Sequence, residues 1–137
     1  MQITIINRQK KIPVSKRAAK AAIFNALEIL KVNQPGELTV VYVDNQTIQE
    51  LNYRFLGEPY PTDVLCFNLG KKGRFVADIV ISVEQAMENA ARFRTSLSRE
   101  MKLYLIHGLL HLFGYDDRRR RDRMRMHRKT LEILRRT

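Results

Sequence analysis

Val64-Leu65-Cys66-Phe67-Asn68-Leu69, then Lys71-Lys72-Gly73, then Phe75-Val76-Ala77-Asp78-Ile79-Val80-Ile81 and Ser82-Val83-Glu84-Gln85, spell out a strand, a turn, a returning strand and the start of a helix. Val64 to Leu69 is a short apolar strand. Lys71-Lys72-Gly73 is a hairpin turn, and Phe75 to Ile81 is the strand that returns from it. Ser82 to Gln85 then forms a capping box. The serine hydroxyl accepts from an amide one turn on, and the glutamine reaches back. A helix therefore opens at once and runs to about Arg94.

Toward the N-terminus, Ile3 to Asn7 is a first strand. Pro13 breaks the chain, and Ser15 caps a helix to about Val32 in which Ala18, Ala22, Ile23, Ala26, Leu27 and Leu30 recur with helical spacing. Pro35-Gly36 turns the chain into the β-branched strand Leu38 to Val43, after which Asp44 or Asn45 caps a helix carrying Ile48, Leu51, Asn52 and Phe55. Pro59 and Pro61 keep Gly57 to Pro61 a loop. Downstream, Ser96 or Ser98 opens a helix through Phe113 that Gly114 stops, and a basic helix follows from about Arg118 to Leu134. In that last helix Met124, His127, Leu131 and Leu134 are expected to face the core. The order β-α-β-α-β-β-α-α-α, without linker or repeat, predicts one α+β domain of α/β-like character over 1–137. Its four-stranded mixed sheet packs with about five helices.

Apolar residues form 45% of the 137, enough for a core, and 25 Lys+Arg against 14 Asp+Glu leave a net charge of +11. A surplus of that size destabilises the free protein through self-repulsion and suits a polyanionic partner such as RNA or a ribosome. Cys66 is the only cysteine, so no intrachain disulfide forms and a reducing compartment is expected. Met1 to Ile6 alternates like a strand and lacks a charged leader region, and the apolar run Leu103 to Phe113 is too short to cross a bilayer. The expectation is a soluble cytoplasmic protein with no membrane and no disulfide partner.

Chemistry concentrates in His107-Gly108-Leu109-Leu110-His111-Leu112-Phe113-Gly114-Tyr115-Asp116-Asp117. Histidines four apart share a helix face and can share a metal ion. Gly114 allows a sharp exit that brings Asp117 back beside them. Three protein ligands plus a water is the arrangement of a catalytic zinc site. Two half-buried imidazoles on an apolar helix each need a partner, and a metal satisfies both. The metal expected at His107, His111 and Asp117 is one zinc ion, with nickel or manganese able to occupy the same ligands. The spacing is similar to the H-E-x-x-H-x-x-G-x-x-H of metzincin proteases, but Gly108 stands where they carry the glutamate that activates water, which argues against a peptidase.

The same stretch resembles the YbeY family of bacterial rRNA maturation factors, matching its H-G-x-x-H-L-x-G-Y-D-H motif at every specified position but the last. Leu51-Asn52-Tyr53-Arg54-Phe55-Leu56, with Pro61-Thr62-Asp63-Val64-Leu65-Cys66-Phe67, resembles that family's L-N-x-x-Y-R and P-T-[DN]-V-L-S-F-P blocks, and Ala77 to Ser82 its G-D-I-V-I-S strand. The resemblance implies a single-strand-specific, metal-dependent endoribonuclease that matures the 16S rRNA 3′ end and serves ribosome quality control, with the small ribosomal subunit as partner. Two positions depart from the pattern. Asp117 replaces the last histidine, and Leu56 stands where an arginine would hold a phosphate.

The candidate catalytic residues are thus His107, His111 and Asp117 acting through the metal, with Asp116 and Asp63 as possible proton acceptors or orienting groups. Arg54, Arg118, Arg119, Arg121 and Arg125 are the candidates for holding an RNA backbone, with Lys71, Lys72 and Arg74 as a second basic patch. The rival readings are a non-catalytic RNA- or ribosome-binding protein with a structural metal and, behind it, a zinc peptidase.

Overall fold

Four polar side chains decide where helices start. Ser15, Asp44, Ser82 and Ser96 each sit in extended backbone and accept a hydrogen bond from the amide three residues on. Each satisfies one of the donors that a helix start leaves free. In the computed structural model, which describes residues 1–137, these caps open α1 (Lys16–Ile29), α2 (Asn45–Leu56), α3 (Val83–Phe93) and α4 (Leu97–Leu112). The last helix, α5 (Arg120–Arg135), begins without a side-chain cap. The strands are β1 (Gln2–Asn7), β2 (Gly36–Val43), β3 (Val64–Asn68) and β4 (Phe75–Ser82), in the element order expected.

They form one mixed sheet in the order β1-β2-β4-β3. β2 runs parallel to both β1 and β4, and β3 pairs antiparallel with β4, Cys66 opposite Ile79. The hairpin thus places β3 at an open edge. Because side chains alternate along a strand, β4 serves two layers. Phe75, Ala77, Ile79 and Ile81 join the main core with α1, α4 and α5. Val80 joins Val43, Leu65 and Ile48 of α2 on the other face.

One boundary and one buried face differ from expectation. α1 stops at Ile29 rather than near Val32, because Lys31 takes φ +56° and the amide of Val32 returns to the carbonyl of Leu27 at 2.9 Å. The turn has the hydrogen bonds of a Schellman cap, with a lysine in the left-handed position usually given to glycine. α5 buries Met126, Thr130 and Ile133, whereas Met124 is 46% exposed and His127 lies on the surface. In a helix this rich in arginine the apolar signal is weak, and packing against α1 and α4 chose another stripe. No helix is long and apolar enough to cross a membrane.

Candidate active-site cleft

α4 lies close against the sheet because Gly108 has no side chain. A Cβ there would meet Cys66 Sγ at 3.0 Å and Ile79 Cγ2 and Cδ1 at 3.2 and 3.3 Å. That tight seat puts His107, one residue before, and His111, one turn on, beside the open edge of β3. It also leaves no space for the glutamate of a peptidase motif at position 108.

The exit from α4 is built from local bonds. Gly114 takes φ +93°, and the amides of Gly114 and Tyr115 return to the carbonyls of His111 and Leu110 at 3.1 and 2.9 Å. Asp116 Oδ1 then accepts from the amides of Asp117 and Arg118 at 2.7 and 3.0 Å. Arg123 of α5 reaches back, Nη1 donating to the carbonyls of Arg118 at 3.2 Å and Asp117 at 3.5 Å. The chain reverses, and Asp117 Oδ2 lies 4.0 Å from His111 Nε2. Asp116 therefore shapes the turn and is not among the residues lining the cleft.

His107, His111, Asp117 and Asp63 line one cleft of about 570 Å³, together with β3 and with Phe55 and Leu56 of α2. That volume is within the range of ligand-binding sites. Asp63 is held by Val64, whose amide donates to its Oδ1 at 2.8 Å. Burial pushes the His107 pKa below its ordinary value, with the Asp63 charge opposing the shift. At neutral pH His107 is then a neutral imidazole with a free lone pair. Burial, with a smaller contribution from Asp63, raises the Cys66 thiol to about 12, so it stays protonated and is no nucleophile.

The donor set, two imidazoles and a carboxylate on one cleft wall, fits a divalent cation in kind. It does not yet fit in distance. Ligands at about 2.1 Å around a tetrahedral ion stand roughly 3.4 Å apart. The His111–Asp117 pair is wider than that at 4.0 Å, and no three His, Cys, Asp or Glu side chains are gathered to ligating distance of one point. The Asp117 side chain is 62% exposed.

The arginines divide. Arg54 sits with Thr47, Glu50 and Tyr53 on another face of α2 and does not line the cleft, whereas Leu56 does. Arg125 lies over the ring of Tyr115 at 4.8 Å, a cation–π contact that packs the turn. Arg118 pairs loosely with Asp116 at 3.8 Å, and Arg119 and Arg121 are exposed. Arg74 pairs with Glu37 at 3.2 Å, while Lys71 and Lys72 are exposed. Sequence reasoning missed Arg123 as the clamp on the Asp117 turn, and the edge-to-face contact of Phe55 with Phe67 beside it in the cleft. Neither carries a spacing signal, since each joins two elements.

A mixed sheet whose open edge faces an H-x-x-x-H helix and a returning aspartate makes this an α+β protein with a single cleft lined by two histidines and two aspartates. The family model described as "Endoribonuclease YbeY" matches residues 4–137. The endoribonuclease YbeY of Syntrophus aciditrophicus is 37% identical over 85% of this chain and 76% of its own length. That of Pelotomaculum thermopropionicum is 34% identical over 98% and 95%. The solution structure of TM1509 from Thermotoga maritima superposes with a TM-score of 0.69 at 28% identity, covering 98% of this chain and 88% of that one. The chain belongs to the endoribonuclease YbeY family.

Proposed function

We propose that this chain is a metal-dependent endoribonuclease that cuts single-stranded RNA during rRNA processing, at the 3′ end of 16S rRNA, and in ribosome quality control. The observation that carries this reading is the convergence of His107, His111 and Asp117 on one cleft at the sheet edge. A net charge of +11 supports an RNA substrate and association with the small ribosomal subunit. The single cysteine supports a cytoplasmic location.

His107, His111 and Asp117 would hold the cation, with zinc favoured by the ligand types and nickel or manganese compatible with them. A cation held there supplies Lewis-acid stabilisation of charge on a phosphoryl oxygen. The rest falls to side chains. His107, kept neutral by burial, offers its lone pair without first losing a proton. Asp63, fixed by the amide of Val64, is the carboxylate available to take a proton from water. Arg118, Arg119 and Arg121, on the surface just past the cleft, are suited to hold the RNA backbone.

Leu56 favours one rival. With an apolar side chain in the cleft wall and Arg54 on another face, the chain could bind RNA or the ribosome around a structural metal without cutting. Metal analysis of the purified protein, with cleavage of single-stranded RNA before and after chelation, separates the two. The proposal expects a bound metal, and cleavage that chelation and His111→Ala both abolish. Ribosome co-sedimentation that His111→Ala leaves intact, with no cleavage by the parent protein, would establish the rival.

A further inference from the structure

The cleft wraps around the open edge of β3. Val64 and Cys66 pack on the α4 side, and Leu65 and Phe67 on the α2 side. His107 and His111 stand on the first side. On the second, Phe55 of α2 meets Phe67 edge-to-face, centroids 5.2 Å apart and planes at 65°. Phe67 is half-buried over Val43, Leu65 and Val80, a firm support, whereas Phe55 is 57% exposed. Scattered exposed apolar residues need no explanation. This ring is different, because a second ring holds its tilt and it lines the same cleft as the two histidines.

We infer that Phe55, buttressed by Phe67, is the platform on which a base beside the scissile phosphate stacks, and that it makes the cleft selective for unpaired RNA. The inference rests on the RNA-cleaving reading of this cleft. A dry protein interface would not suit a wall that carries two histidines and two aspartates, since interface cores are depleted of charge. A nucleotide joins an anionic backbone, which the +11 chain attracts, to a flat π face, which Phe55 can receive. Stacking of this kind tolerates any base. A duplex keeps its bases stacked within the helix, so only a single strand can offer one.

The chain has no tryptophan, so Phe55→Trp creates a single-tryptophan reporter in the folded full-length protein. Its fluorescence should be quenched saturably by a single-stranded oligoribonucleotide. An abasic oligomer of equal length, or inorganic polyphosphate, should leave it unquenched. Phe55→Leu, which keeps an apolar side chain but no ring, should bind the oligonucleotide about 5- to 150-fold more weakly. Its salt dependence should match the parent's, because no phosphate contact is lost. Quenching by the abasic oligomer or by polyphosphate, or unchanged affinity in Phe55→Leu, would overturn the stacking role while leaving the RNA reading intact. A parent protein that binds no single-stranded RNA would overturn both, and saturable quenching by an apolar peptide instead of RNA would assign the ring to a protein partner.

Discussion

Replacing Gly108 by alanine tests whether the seat of α4 on the sheet positions the site. The new methyl would sit 3.0 Å from Cys66 Sγ and 3.2 and 3.3 Å from two carbons of Ile79, where comfortable carbon contacts lie near 3.5–4.0 Å. Ile79 is fully buried on β4, which has β2 on one side and β3 on the other, so the helix must retreat by a few tenths of an ångström. Overpacking of this kind costs about 1–3 kcal/mol. Alanine in place of a helical glycine gives back about 0.8–1.0 kcal/mol. The net is a loss of roughly 1 kcal/mol, or a Tm lower by about 3–4 °C for a chain of this size.

A double-mutant cycle makes the expectation sharper. Cys66→Ala alone should destabilise by leaving a void, but with Gly108→Ala the new methyl moves into the space the sulfur vacated. The pair should therefore be more stable than the sum of the single changes by about 0.5–1 kcal/mol, beyond the 0.3–0.5 kcal/mol scatter of independent sites. Urea unfolding in chelator, so that no metal contributes, reads all four proteins. RNA cleavage by Gly108→Ala should fall at least tenfold, because the displaced helix carries both histidines and small misplacements are costly in catalysis. A Gly108→Ala protein more stable than its parent, or strict additivity with Cys66→Ala, would refute the close-packing argument.

Three further outcomes follow from the cleft. With its pKa raised from 9.0 to about 12, native Cys66 holds about a thousandfold less thiolate at pH 8, partly offset by the greater nucleophilicity of a more basic thiolate. Disulfide-exchange reagents should thus label it about 30- to 60-fold more slowly than the urea-unfolded chain, and near-equal rates would contradict its burial. Because the pKa of His107 is lowered on folding, the unfolded chain binds that proton first. Metal-free stability should fall as pH drops through about 6.5, and His107→Gln should flatten that slope in pH-dependent urea melts. Leu56→Arg puts a guanidinium into the cleft wall, and one charge-assisted bond to a phosphate, about 1.5–3 kcal/mol, should raise kcat/KM on single-stranded RNA by about 10- to 150-fold. An unchanged rate would mean that position 56 does not face the substrate.

The parts of the fold that could be read in advance were those decided within a few residues. Ser15, Asp44, Ser82 and Ser96 each bond an amide three positions on, so caps and breakers locate the helices with no knowledge of tertiary packing. The end of α1 escaped because Lys31 carries no glycine to signal its left-handed backbone. The buried stripe of α5 escaped because Met124 and Met126 offer helical registers of nearly equal apolar content, and only contact with α1 and α4 selects between them. Asp116 and Asp117 are chemically identical neighbours, and what separates them is that Asp116 is spent on two backbone amides of its own turn.

The two walls of the cleft follow the same division. The wall with His107, His111 and Asp117 is encoded in eleven consecutive residues, because a helical repeat, one positive φ at Gly114 and one side-chain-capped turn suffice to bring the three residues to the lining of one cleft. The opposite wall joins α2 to β3, and no local spacing signals that contact, so Phe55 and Phe67 are merely two aromatics in sequence. Local encoding also explains why the donor set is incomplete in distance. The turn residue Asp117 is tied by its backbone to Arg123 while its side chain stays largely in solvent.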